Sequence, residues 1–530
     1  NRHNKPQWMG ITVQSSFPES LKELNDLASN IWWTWNYEAK ELFEEIDSHL
    51  WNKYRNPIKV LKEISYNRLQ ELENNEDFMF KYNWVVKKLK NYLAEKPDPK
   101  TSRIAYFSME YGLDDYLKIF SGGLGILAGD YLKEASDTNT NLVAVGFMYK
   151  YGYFKQKMSL DGDQLAIYNP QSPSELPISP VTDANGNLVM VKVGYPGRQI
   201  FSRLWLVMVG RVKLYLLDTN VNENNEEDRL LSSALYGGNN EHRLKQEMML
   251  GIGGIRALEA VGEKPEIFHC NEGHAAFINI ERLRKLIKHS KCTFQEALEI
   301  VRASCLYTTH TPVPAGHDSF PEDLMMTYMG QFPERLQLSW NEFMNLGRHT
   351  PDNHGENFSM SNLAIATSQE VNGVSRLHGE VSKDMFQGLW EGYFKSESHV
   401  GYVTNGVHYG TWASKEWQQL HEKTFSDAFL KDMSNHRYWE KIYNVNDEVI
   451  WDICNKHREQ LIAYVKQQLH DSWTQRYEDP KKLLSIFKAI NKDTLTIGFA
   501  RRFATYKRAY LLFSNLEKLA KIVNNPDRPV

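Results

Sequence analysis

One stretch, "RIAYFSMEYGLDDYLKIFSGGLGILAGDYLKEAS" (residues 103–136), constrains the fold more than any other part of the chain. Arg103–Glu110 is a short apolar run with the character of a buried strand. Gly122, Gly123 and Gly125 follow, and the pattern predicts a helix over 127–136. Strand, glycine turn and helix together make a β-loop-α unit, and the alternation continues downstream. "NLVAVGFMY" (141–149) reads as a strand, and "RLWLVMVG" and "RVKLYLLDTN" (203–220) as strands turning at Gly210. Residues 242–262 read as one long helix. "EIFHCNEGHAAF" (266–277) and "CLYTTHTPVPAG" (305–316) read as strands running into loops. Such alternation argues for a layered α/β fold with a largely parallel sheet.

At 530 residues the chain is too long for one core, so more than one domain is expected. Residues 1–100 read as a helical N-terminal extension: Leu21, Leu24, Leu27, Ala28 and Ile31 recur at helical spacing after Ser16 and Pro18. "EKPDPKTS" (95–102) is a linker, and 101–490 an α/β domain ending in helices over 414–490. At 491–530 the pattern restarts, with Leu495–Phe499 as an apolar strand, then a loop and a helix. This is read as the first unit of a second α/β domain. The sequence stops where another strand is expected, so the chain is expected to be cut inside that domain.

Charge narrows the function classes. Lys plus Arg number 62 and Asp plus Glu 66, a net charge of −4, so no basic excess argues for nucleic acid. The acidic stretch Glu223–Asp228 reads as a solvated loop. Cys270, Cys292, Cys305 and Cys454 form no CxxC pair and no metal-ligand spacing, which reads as reduced thiols in a cytoplasmic protein. No apolar run approaches the roughly 18 residues that span a bilayer, and no signal-peptide core opens the chain, so a soluble protein without membrane contact is expected. Fourteen Trp would suit stacking on sugar faces, although core packing is the commoner fate of each.

Two anion signals stand out. Gly122, Gly123 and Gly125 precede a helix N-terminus, where unpaired N–H groups and the helix dipole favour an anion. The pattern is neither GxGxxG nor GxxxxGK[ST]. Gly251, Gly253 and Gly254 lie inside a helical pattern and read as close packing. The second signal is "FARRFATYKRA", with Arg501, Arg502, Lys507 and Arg508 behind an apolar run, a phosphate-binding composition or else a solvated helix face. His310 sits at a strand end beside proline-bearing sequence; with His317 it offers no third ligand, so no metal is expected. Glu272 and His274 end another strand, and Asn405 in "VTNGVHYGTW" suits sugar hydroxyls or a simple turn. No glycosidase carboxylate pair or GxSxG elbow is evident.

In this order, "SME", "SGGLGILAGDYLKEA", "HCNEGHAAF", "TTHTPVPAGHD", "VNGVSRLH", "VTNGVHYGTW" and "FARRFATYKR" resemble the α-glucan (glycogen/starch/maltodextrin) phosphorylases over nearly the whole chain. The helical N-terminal extension is similar to that of their short bacterial branch. The resemblance implies a glycosyltransferase-B fold, its N-terminal Rossmann-like domain essentially complete and a second one only begun. It implies pyridoxal 5'-phosphate acting through its phosphate, and conversion of α-1,4-glucan (or maltodextrin) plus inorganic phosphate to glucose 1-phosphate with retention. By motif, Gly122 and Gly123 would meet the substrate phosphate, with Leu124 on the sugar side and Glu110 close by. Arg502 would bind substrate phosphate, Lys507 would bridge the two phosphates, and Arg501 would lie by the cofactor phosphate. His310 and Asn405 would hold glucosyl hydroxyls, the His310 carbonyl facing the developing oxocarbenium, and Glu272 and His274 would line the site. Glutamate stands at 272 where the family usually has aspartate, and Ala504-Thr505 where it has a His-Glu pair.

The cofactor's Schiff-base lysine would lie beyond Val530, so the chain as given is expected to lack phosphorolysis and bound cofactor. A homo-oligomer is left open. Alternatives are a nucleotide-sugar glucosyltransferase of the glycogen-synthase type, or a non-catalytic glucan-binding fragment.

Overall fold

The computed structural model describes residues 17–475, 479–501 and 505–530. Its N-terminal part is helical. Helix Tyr37–Ile46 buries Ala39, Leu42, Phe43 and Ile46 along one stripe, and helix Glu76–Ala94 buries Phe78, Tyr82, Val85, Val86 and Leu89. The starts of Pro57–Glu63 and Glu76–Ala94 are capped by the side chains of Asn56 and Asn75. Trp32, Trp33 and Trp35 are all buried; Trp33 packs against the rings of Phe43, Trp51 and Tyr116, so these indoles belong to the core. Asn30 fastens this layer to the sheet. Its Oδ1 accepts from Trp32 N and Gly210 N (both 2.9 Å), and its Nδ2 donates to Gly210 O (3.1 Å).

Among the described residues fourteen strands follow: β1 Ile104–Phe107, β2 Leu142–Phe147, β3 Lys155–Met158, β4 Gln164–Ile167, β5 Ser179–Pro180, β6 Met190–Tyr195, β7 Arg198–Val209, β8 Val212–Asp218, β9 Ile267–Asn271, β10 Cys305–Thr308, β11 Ser319–Phe320, β12 Phe358–Ser359, β13 Glu370–Gly373 and β14 Val400–Tyr402. Ten form one sheet in the order β14-β13-β10-β9-β1-β2-β8-β7-β5, with β6 also on β7. From β14 to β8 every pairing is parallel; β7 turns back on β8 through Gly210, whose φ is +58°. β2 reads LVAVGF and is buried at every position, as a strand covered on both faces requires. β3–β4 and β11–β12 are separate two-stranded ribbons.

The helical pattern over 242–262 is realised as Asn240–Met248 and Gly254–Ala260 joined by a π-turn at Met249–Gly253. A Cβ on Gly251 would lie 2.6 Å from Phe277 Cβ, so close packing accounts for that glycine. Two expectations are corrected. Leu495–Phe499 forms no strand, and Leu495, Ile497 and Phe499 are exposed. An apolar run becomes a strand only where a neighbour completes its ladder. Glu223–Asp228 is no wholly solvated loop: Asp228 is buried and receives two hydrogen bonds from Arg198, at 2.6 and 2.7 Å.

The chain gathers into two compact units, 1–155 with 166–412 and 156–165 with 413–530. The second unit holds helices Lys415–Phe425, Asp447–Gln475 and Pro480–Ala489 and an aromatic cluster in which His421 stacks on Phe425 and meets Trp439 edge-on. Among the described residues no helix is long and apolar enough to cross a membrane.

Candidate active site

Parallel pairing aligns the carboxyl ends of five strands along one sheet edge. Phe107 faces Cys270, Thr308 faces Asn271 and Asn372, and Gly373 faces Tyr402. The chain leaving β1, β9, β10, β13 and β14 therefore delivers Glu110, Glu272–His274, His310, Val374 and Asn405 to the same edge, where open α/β sheets bind ligands.

The glycine turn is tied to this edge by Glu110, which is buried. Its Oε2 accepts from Ser121 N (2.7 Å), Ser121 Oγ (3.3 Å) and Gly122 N (3.3 Å), and its Oε1 accepts from Tyr236 OH (2.5 Å). The helix expected over 127–136 begins earlier and runs Gly123–Asp137, with Gly122 as extended N-cap. Its first α-helical bond is Ile126 N to Gly122 O, so the amides of Gly123, Leu124 and Gly125 have no acceptor within the helix.

The glycines divide by what surrounds them. A Cβ on Gly125 would lie 2.6 Å from Glu110 Oε2, and one on Gly129 would lie 2.1 Å from Gly112 O. Packing demands both. Around Gly122 and Gly123 a Cβ would meet nothing within 4 Å, and neither has positive φ. The fold does not require glycine at these two positions, and the bare backbone there is open to a ligand.

Behind the turn lies a continuous polar network. The Arg243 guanidinium sits 4.9 Å from the centre of the Tyr236 ring, donates to Asp318 Oδ2 (2.8 and 3.2 Å) and pairs with Glu247 (3.1 Å). Burial, and Asp318 beside it, push the Glu247 carboxyl well above the usual range. His274 Nε2 accepts from Met109 N (3.0 Å); burial and Arg243 push this histidine down to about 3, so it is neutral with its proton on Nδ1.

Glu272 stands at φ +77°, a left-handed backbone that costs a non-glycine residue about 1–3 kcal/mol. Its carboxylate collects four donors: Tyr307 OH (3.0 Å) and Gly273 N (3.3 Å) on Oε1, His310 N (2.8 Å) and Thr311 Oγ1 (3.1 Å) on Oε2. Burial alone would raise it, but His310, His317 and the His310 amide outweigh burial and hold it below the usual carboxylate range. His310 is pulled below its ordinary value, by burial first and by His378 against the opposing pull of Glu272. Its Nε2 meets Asn271 Oδ1 at 2.5 Å, and Asn271 Nδ2 donates to Ser108 Oγ, so Nε2 carries the proton and Nδ1 is the acceptor. Asn405 is exposed; its amide donates to Val374 O (3.0 Å), and Val374 N donates to His378 Nδ1 (3.1 Å).

The structure thus gathers Glu110, Gly122, Gly123, Leu124, Glu272, His274, His310 and Asn405 within one unit. Arg501 and Lys507 belong to the other, Arg501 exposed and Lys507 in the turn Thr505–Lys507; Arg502 lies outside the described residues. Sequence reasoning missed Tyr236, Arg243 and Asn271. Asn271 is adjacent to Glu272 and could have been found from the strand end, whereas Tyr236 and Arg243 reach the site only through the fold.

An open helix N-terminus, a buried neutral histidine and a caged carboxylate at the carboxyl edge of a parallel sheet define an α/β protein with the polar strand-edge arrangement at which such sheets bind ligands. Residues 256–487 match the carbohydrate phosphorylase family, and residues 17–117 match a family described as a protein of unknown function (DUF3417). The chain is 41% identical to the maltodextrin phosphorylase of Thermococcus litoralis and 38% identical to the glycogen phosphorylase of Mycobacterium tuberculosis, over 98% of its own length and 62% of each of theirs. It is 36% identical to the glycogen phosphorylase of Aquifex aeolicus, over 97% of its length and 74% of that protein. The chain belongs to the carbohydrate phosphorylase family, and it spans about 62% of the length of the first two relatives.

Proposed function

We propose that this chain carries the glucan- and phosphate-binding part of an α-1,4-glucan phosphorylase of glycosyltransferase-B architecture, with a helical extension at 1–100, an α/β domain at 101–490 and the start of a second domain from 491. The reaction is transfer of a terminal glucosyl unit to inorganic phosphate with retention, giving glucose 1-phosphate. One observation carries this reading: Gly122 and Gly123 are bare where the fold leaves room for a side chain, at a helix N-terminus.

In this reading the first-turn amides of the helix stabilise phosphate oxygens without needing to reorganise. Glu110 holds the turn by accepting from Ser121 and Gly122, which orients the following amides outward. His310 stays neutral; with its Nε2 proton committed to Asn271, its Nδ1 accepts from a sugar hydroxyl opposite Asn405. The Glu272 cage fixes the His310 main chain, so that its carbonyl faces the anomeric carbon as positive charge develops. By the motif resemblance, Arg501, Arg502 and Lys507 would supply positive charge for phosphate. The family reading implies pyridoxal 5'-phosphate: Arg501 and Lys507 would hold its phosphate, which when bound would supply a proton donor and acceptor.

The test is to incubate the protein, expressed from its complete reading frame, with maltoheptaose and phosphate and to measure α-glucose 1-phosphate. Its release supports the proposal. Glucosyl transfer from ADP-glucose without phosphorolysis would favour the nucleotide-sugar alternative. Quenching of tryptophan fluorescence by maltoheptaose with no turnover of either kind would favour a binding fragment.

A further inference from the structure

Helix Gly123–Asp137 does more than end in the glycine turn. Asp130, Lys133 and Asp137, spaced i, i+3 and i+7, form one stripe along it. That stripe grips the segment that follows Asn405. Asp130 Oδ2 accepts from His408 N (3.1 Å) and from Trp412 Nε1 (2.6 Å). Lys133 Nζ donates to Thr411 Oγ1 (3.2 Å) and to Leu113 O (2.7 Å), and Asp137 Oδ2 meets His408 Nε2 at 3.0 Å. Asp130 is buried, and its Oδ1 has no hydrogen-bond partner among the described residues. A buried carboxylate turned wholly toward one segment is expensive unless those bonds matter. At its other end the segment hangs from the sheet by Asn405 N to Val374 O. Asn405 is therefore the sheet-side anchor of a segment whose other anchor, three residues on, is the glycine helix.

We propose that Asp130 is a positioning residue that fixes Asn405 relative to Gly122 and Gly123, so that one helix sets the spacing between the sugar-contacting and anion-contacting parts of the site. The proposal rests on the phosphorylase reading for the roles of those two parts. From Gly123 to Asp130 the helix spans about 10 Å, at about 1.5 Å per residue. Movement of the segment at its Asp130 anchor would displace Asn405 while leaving the glycine turn, held separately by Glu110, in place.

The test compares Asp130→Leu with Asp130→Asn. Asparagine can point its oxygen at His408 N and Trp412 Nε1 and its NH2 where Oδ1 now lacks a partner; leucine can accept from neither. In the protein expressed from its complete reading frame, Asp130→Leu is expected to raise KM for maltoheptaose roughly ten- to a hundredfold with KM for phosphate within about twofold, and Asp130→Asn to recover most of that loss. Trp412→Phe, which keeps an aromatic ring but removes the indole N–H donor, should give an intermediate effect even where Asp130→Leu folds poorly. Equal loss in both Asp130 variants, or a parallel rise in both KM values, would overturn the proposal.

Amide hydrogen exchange decides the matter independently of turnover. Asp130→Leu should speed exchange over residues 403–412 at least about tenfold and leave 122–126 unchanged; unchanged exchange over 403–412 sinks the proposal. If the wild-type protein releases no glucose 1-phosphate, the phosphorylase reading fails, and the exchange data still decide whether Asp130 holds this segment.

Discussion

The four glycines of the turn and the helix that follows it separate fold from proposed chemistry one residue at a time. Alanine at Gly122 or Gly123 meets open space, so unfolding free energy should stay within about 1 kcal/mol of wild type. Phosphate KM should nevertheless rise, as the new methyl stands in the ligand's path. Alanine at Gly129 would drive a Cβ to 2.1 Å from Gly112 O and should cost about 3 kcal/mol or more. Urea unfolding beside phosphate kinetics reads both; a Gly122→Ala protein with unchanged phosphate KM would remove the cradle from the site. Buried histidines give a second handle. His269 and His274 are both pushed down to about 3, chiefly by burial. The unfolded chain protonates each near 6.5, and the folded chain does so only near 3, so stability is lost as pH falls through this window. The expected slope is about 1.4 kcal/mol per pH unit for each histidine, and His274→Gln should flatten it; an unchanged slope in that variant would show that His274 does not carry it. Glu272, held below its ordinary range, adds to the loss once pH falls below the ordinary glutamate value, where the unfolded chain takes up that proton before the folded one does.

At the scale of elements, the strand–glycine–helix unit was legible because its signals are local: an apolar run, bare backbone, then helical spacing. The helix start was misplaced by four residues, since glycines that look like turn are here packed into the first helical turns against Glu110 and Gly112. Glu272 was legible as a strand-end residue, but its left-handed backbone was not, because only the surrounding donors hold a glutamate there. Leu495–Phe499 misled for the opposite reason, a correct strand composition without a neighbouring strand. Joints between elements were invisible in the sequence. Asn30 joins the tryptophan-rich helical layer to the β7–β8 turn by three buried hydrogen bonds, 180 residues apart in the chain for two of them. Asn30→Ala leaves the Trp32 and Gly210 amides unpaired and should cost about 3 kcal/mol in urea unfolding. A loss below about 1 kcal/mol would mean that side-chain packing alone holds the layers together.

For the whole molecule, the parallel sheet follows from patterns spread over 300 residues, which is why the family and the layered α/β class were legible in the sequence. Tyr236 and Arg243 could not, because their place at the site depends on topology rather than on motif. The second unit carries exposed apolar side chains at Leu495, Ile497, Tyr510, Leu511, Leu512, Phe513 and Leu516. Surfaces of this kind bind hydrophobic dyes and associate. This chain should enhance ANS fluorescence, and Ile497→Asp with Leu512→Lys should reduce both the dye signal and self-association in sedimentation, with the melting temperature little changed; a melting temperature that falls by several degrees would mean these side chains are part of a core. The open positions at 122 and 123 carry a different lesson for anyone sorting variants of this chain. An alanine there should pass screens for expression, solubility or heat resistance, so, if the phosphorylase reading holds, a library filtered on those traits would keep members that have lost phosphate binding and rank them as sound.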